Sequence, residues 1–264
     1  FTKDIFLAGA AGLILSLLIP FLAFLILRSF GKLDQTNAAA VAAHYGSVSV
    51  VTFITGSQIL TSMNMEPAGY MIAVLALMET PAIIVGLYLA RRGTKSEPQP
   101  RGDLIRETLL NGSVVLLTGS FIIGLVIGKE GFEPISPVFK TGFTGLLCLF
   151  LLDMGLLAAR RLRNAQTLTI RLVFLGISFP VVNGLLGSFL GAALGFDAGT
   201  TTALALLAAS ASYIAVPAAI RLALPKADAG LYLAMSLAIT FPFNIIVGIP
   251  LFTSISIFMV QLWS

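Results

Sequence analysis

Residues 59–81, ILTSMNMEPAGYMIAVLALMETP, fall on residues 220–242, IRLALPKADAGLYLAMSLAITFP, when the chain is slid against itself by 161 positions. At that offset residues 37–86 align with 198–247 without a gap, and eight of the fifty positions are identical. Ala68-Gly69 meets Ala229-Gly230, Pro81 meets Pro242, and Ser49 meets Ser210. The last two matches lie inside apolar stretches, where a proline costs a backbone hydrogen bond and a hydroxyl needs a partner.

Composition says what kind of repeat this is. Of 264 residues, 57% are hydrophobic and 11% charged, with a mean hydropathy of +0.98. Soluble domains carry roughly 25% charged residues, so a water-soluble globule and a disordered chain are both excluded. The net charge of +4 is spread over short basic clusters, not the single stripe that binds nucleic acid. One cysteine, Cys148, and one histidine, His44, exclude disulfide frameworks and common transition-metal centres. HExxH, G-x-S-x-G, P-loop and paired-aspartate motifs are absent from the sequence, so an enzyme is not expected. The remaining class is an all-α polytopic membrane protein.

A spanning helix needs about 20 mostly apolar residues. Eight stretches qualify: 5–28, 37–62, 69–90, 108–128, 137–158, 167–195, 199–222 and 230–262. The segment between the third and fourth, RRGTKSEPQPRGDLIRE, is charged and contains two prolines and two glycines, which predicts a solvated linker over 92–107. With alternating spans, one side receives Arg28, Lys32, Arg91, Arg92, Lys95, Arg101, Arg106, Arg160, Arg161, Arg163, Arg221 and Lys226. The other receives Lys3, Lys129 and Lys140. This asymmetry predicts that the linker is cytoplasmic and both chain ends are outside.

The matched units are the second and seventh spans, five crossings apart, so their orientations are opposite. Inverted repeats of this kind build secondary transporters, with the binding site at the repeat interface near the midplane. The predicted organisation is therefore residues 1–91 as three helices of the first repeat, the linker 92–107, and residues 108–264 as five helices of the second. Spans within 5–91 and 167–262 form a core, and those within 108–158 form a gate. A 5+5 arrangement requires two further helices ahead of Phe1.

Two small, hydroxyl-rich clusters sit mid-span: His44-Tyr45-Gly46-Ser47-Val48-Ser49-Val50-Val51-Thr52 and Ala208-Ala209-Ser210-Ala211-Ser212-Tyr213. Both predict helices that break, so that half-helix N-termini meet a small anion and hydroxyls with freed carbonyls meet a cation. Glu79, followed by Thr80-Pro81, is an intramembrane carboxylate and a candidate cation or proton site. His44 is a second candidate for proton coupling. Either cluster taken singly also reads as helix packing.

At these residues the chain resembles the cyanobacterial-type sodium-dependent bicarbonate transporters. Gly46-Ser47-Val48-Ser49-Val50-Val51-Thr52 is similar to the family's Gly-Ala-Val-Ser-Gly-Ser-Thr-like stretch, and Ala208–Tyr213 to its Ala-Ala-Ser-Ser-Ser-Asp. Met78-Glu79-Thr80-Pro81 corresponds to Met-Asp-Ile-Pro and Met154-Gly155-Leu156 to a Met-Gly-Met-like turn. The closing Ile249-Pro250-Leu251-Phe252 is intact. Departures are Tyr213 for aspartate, Ala211 for serine, and Val50 and Val51 for glycine and serine.

The resemblance implies a 5+5 fold with two crossing discontinuous helices, like bile-acid symporters and sodium/proton antiporters. It implies sodium-driven bicarbonate import, a homotrimer in a bacterial inner membrane, and a PII-like cytoplasmic regulator. Carried over by position, Gly46, Ser47, Ser49, Ser210, Ala211 and Ser212 would line the anion site. Ser49, Thr52, Glu79 and Ser212 would serve sodium, with no other cofactor. Two rival readings stay open from the residues alone: a proton-coupled or organic-anion carrier of the same fold, and a membrane scaffold or sensor without transport.

Overall fold

The computed structural model describes residues 3–91, 112–164 and 168–263. The predicted linker 92–107 lies outside the described residues. The main helices among the described residues are α1 (Lys3–Ser29), α2 (Gln35–Gly46), α3 (Val50–Ser62), α4 (Met71–Arg91), α5 (Gly112–Phe132), α6 (Phe143–Asn164), α7 (Ile170–Ala193), α8 (Ala198–Ala209), α9 (Ala215–Ala223) and α10 (Ala229–Trp263). No strand occurs among the described residues.

Among the described residues, five helical stretches are long and apolar enough to cross a membrane: Lys3–Ser29, Gln35–Ser62 (α2 and α3 taken together across their break), Met71–Arg91, Ile170–Ala193 and Ala229–Trp263. The other three predicted spans behave differently. The seventh is split into α8 and α9, each too short to cross alone. The apolar part of α6 covers only Gly145–Leu157, because its last turns carry Arg160, Arg161 and Arg163. α5 is interrupted at Gly128, whose backbone (φ 59°, ψ −165°) lies in a region essentially reserved for glycine.

The helices sort into two bundles of like construction. α1, α2 and α4 pack together, and so do α7, α8 and α10. Close approach explains their small residues. Gly46 leaves room for the ring of Pro20 and the methyl of Ala82, Gly86 for Ala43, and Gly187 for the backbone of Ala205.

α2 and α8 are built alike. Each has twelve residues and starts on an aspartate, with Asp34 accepting from the Asn37 amide and Asp197 from the Thr200 amide. Each ends on a serine with extended backbone, Ser47 (φ −92°, ψ 177°) and Ser210 (φ −79°, ψ 163°). Aspartate caps stabilise each start by about 1 kcal/mol. The caps place Asp34 against Asp197, Ser47 against Ser210 and Ser49 against Ser212. That is a spacing of 163, two more than the sequence slide.

The slide was anchored by the helices that follow, where Pro81 and Pro242 lie 161 apart. The intervening half-helices differ in length, α3 with 13 residues and α9 with nine, so one ungapped offset cannot serve both parts. Capping overrides the slide, and Ser210 holds the position in α8 that Ser47, not Ser49, holds in α2.

Candidate functional site

The α2–α3 and α8–α9 breaks meet. Leaving the helix at Ser47 and at Ser210 frees amides that must find acceptors, and two of them reach across to the other break. The Ser49 amide donates to Ser210 Oγ at 2.9 Å, and the Ser212 amide donates to the His44 carbonyl at 2.9 Å. Ser210 Oγ in turn donates to the Leu207 carbonyl at 2.9 Å. Ser47 Oγ donates to the Glu79 carbonyl at 3.3 Å, tying the first break to α4. Asn244 Nδ2, on α10, donates to the carbonyl of Ala209, the last residue of α8.

A small pocket of about 30 Å3 lies at this crossing, lined by Val48, Ser49, Val50, Glu79, Ser212, Tyr213 and Ile214. Its polar groups are poorly paired. Glu79 is 2% exposed and its Oε2 has no hydrogen-bond partner. The Tyr213 hydroxyl is also buried without a partner. Ser49 Oγ accepts from both the amide and the hydroxyl of Thr52, which occupies its lone pairs and leaves its own proton to face the pocket. Ser212 Oγ accepts from the Val216 amide at 3.4 Å. An unpaired buried carboxylate is costly, so the pocket suits a cation at Glu79, while the two serine O–H groups suit an anion.

Of the residues singled out in the sequence, Ser49, Ser212 and Glu79 line this pocket. Thr52 stands behind Ser49 through its hydroxyl. Ser47 and Ser210 spend their hydroxyls on holding the crossing together. Gly46 packs on Pro20 and Ala82, and Ala211 is buried in the apolar core. His44 is fully buried beside the pocket, with Nδ1 on the Ala40 carbonyl, Nε2 without a partner, and its ring stacked on Tyr232 at 4.6 Å.

Two larger cavities flank the crossing. One, of about 590 Å3, is lined by α3, the 63–70 turn and the start of α4, with Val50, Ser57, Gln58, Thr61 and Glu66 on its wall. The other, of about 450 Å3, is lined by α6, α9 and α10, with Tyr213, Ile214, Pro217 and Arg221 on its wall. Neither cavity was legible in the sequence, although Ser57, Gln58 and Thr61 share one face of a helix at helical spacing.

Residues 1–256 match the model of one protein family, the Na+-dependent bicarbonate transporter superfamily. The chain belongs to that family. Among curated proteins, none matches the chain. Membership in this superfamily implies a multi-pass membrane transporter that carries bicarbonate and depends on sodium. The five long apolar helices fit that setting.

Proposed function

We propose that the chain imports bicarbonate by sodium symport, with sodium at Glu79 and the anion held by the crossing of the two broken helices. The observation that carries this reading is the Glu79 carboxylate, buried and unpaired in the same small pocket as the Ser49 and Ser212 hydroxyls. Sodium beside Glu79 supplies the positive charge that the anion needs, since neither cluster at the crossing, 44–52 or 208–213, contains lysine or arginine. Each ion then lowers the cost of burying the other, which is the physical basis of coupling. Ser212 adds an oxygen ligand for sodium, and Thr52 braces Ser49 from behind. Ser49 and Ser212, which line the pocket, frame the anion.

An inverted 5+5 repeat with crossing discontinuous helices is the architecture this mechanism uses. It is supported by a contact that occurs twice. Asn37 Oδ1 accepts from the Asp228 amide at 2.7 Å, and Thr200 Oγ1 accepts from the Ala68 amide at 3.0 Å. Asn37 and Thr200 hold the third helical position of α2 and α8, and each grips the turn before a helix of the opposite bundle.

In the proposed orientation the 63–70 turn is outside and Arg91 and Arg221 are cytoplasmic, following the charge asymmetry. The 590 Å3 and 450 Å3 cavities then open on opposite sides, as alternating access requires. A homotrimer in the inner membrane completes the proposal.

The test is uptake of labelled bicarbonate into proteoliposomes with and without an inward sodium gradient. Uptake that needs the gradient is expected. Uptake of equal rate in potassium alone overturns sodium symport.

A further inference from the structure

The small pocket shares one lining residue, Val50, with the 590 Å3 cavity, and two, Tyr213 and Ile214, with the 450 Å3 cavity. Val50 is the third residue after the capping Ser47, and Tyr213 the third after the capping Ser210. The same position in each broken helix therefore stands between the crossing and the cavity lined by its own half-helix. A fold with matched halves sets two unlike side chains there, a three-carbon aliphatic and a phenol.

Tyr213 is firmly placed. The Ser212 amide ties the backbone on one side to His44, and the Val216 amide folds back to Ser212 Oγ on the other. Its ring lies against Phe241, with centroids 5.1 Å apart. It is 7% exposed, and its ring shares the pocket wall with Ser49. An aromatic ring held at the backbone and shared by the walls of the 30 Å3 pocket and the 450 Å3 cavity narrows the way between them.

We infer that Val50 and Tyr213 are the paired barriers of the permeation path, and that they are unequal, the Tyr213 ring being the tighter closure, on the Arg221 side. The inference rests on the transport reading for its meaning but can be tested apart from it.

A Cys148→Ala background carrying Ser212→Cys places a thiol in the pocket wall. A membrane-impermeant methanethiosulfonate is applied from one side at a time in sodium-free buffer, and the labelling rate is read. With Tyr213 in place, labelling from the Arg221 side is expected to be slow. Tyr213→Val raises it about tenfold or more, whereas Tyr213→Phe, which keeps the ring, stays within about twofold of the parent. Val50→Ala gives the matching rise from the Glu66 side, and it tests the pairing even where the Tyr213 variant does not fold. A Tyr213→Val rate equal to the parent's overturns the inference. So does a Tyr213→Phe rate equal to that of Tyr213→Val, because the hydroxyl and not the ring would then be the barrier. Sodium-gradient uptake by the parent protein is measured alongside. Absent uptake with the labelling pattern intact would refute the transport reading and leave the barriers standing.

Discussion

The Ser49 amide donates to the Ser210 hydroxyl at 2.9 Å, across two segments 161 residues apart in the chain. This bond is the geometric centre of the crossing. Ser210 terminates one helix, and Ser49 caps the start of another by accepting from Thr52. A single contact thus couples the end of α8 to the beginning of α3.

Removing the acceptor should therefore cost stability. Ser210→Ala leaves the Ser49 amide buried without a partner, a loss of about 1–3 kcal/mol. The expected result is a melting temperature several degrees lower in detergent, with bicarbonate affinity reduced as well. Thermal denaturation followed by tryptophan-free fluorescent dye binding would measure it, and an unchanged melting temperature would contradict the role given to Ser210.

Glu79→Gln keeps the volume of the side chain and removes its charge. On the proposed sodium site this removes the one carboxylate lining the pocket, so the half-saturating sodium concentration should rise by roughly tenfold or more. Stability should rise or hold, because an unpaired buried carboxylate is replaced by a neutral amide. Normal sodium dependence in the folded variant would remove Glu79 from the cation site.

Gly46→Ala separates packing from ligation at that position. A Cβ there meets Pro20, and the methyl of Ala82 at 2.9 Å, so overpacking should cost about 1–3 kcal/mol. Poor yield or a lowered melting temperature is expected before any change in ion affinity. A stable variant with altered bicarbonate affinity would instead make Gly46 a direct contact.

Asn37→Ala and Thr200→Val each delete one of the two matched grips on Asp228 and Ala68. Each should cost about 1 kcal/mol. The grips lie at the starts of two twelve-residue helices, each about 18 Å long, with the breaks at the far ends. The double variant should be additive. A combined loss well above the sum would show that the two bundles are not held independently.

The candidate site was partly legible from the sequence. Glu79, Ser49 and Ser212 stood out because a carboxylate and paired hydroxyls are expensive within apolar spans, and all three line the pocket. Gly46, Ser47, Ser210 and Ala211 came from the same clusters, yet their places are a packing contact, two bracing hydroxyls and a core methyl. Nothing in the one-dimensional pattern separates a hydroxyl that braces a crossing from one that faces the space within it. Tyr213 was visible only as a departure from a family pattern, and its standing between two cavities needs three-dimensional neighbours.

What the sequence determined by itself is the class of protein, the long apolar helices, and the existence of two breakable segments. These follow from local quantities: hydropathy summed over about 20 residues, serine and glycine where helix formation is weakest, and charge counted on either side of each span. Tertiary structure decided the register between the two bundles and the contents of the pocket. Helix caps set that register at 163 between α2 and α8, while the slide at 161 followed the helices downstream. The physical reason is that a break frees backbone groups whose partners are chosen by proximity in space. Ser49 finds Ser210, Ser212 finds His44, and Ala209 finds Asn244.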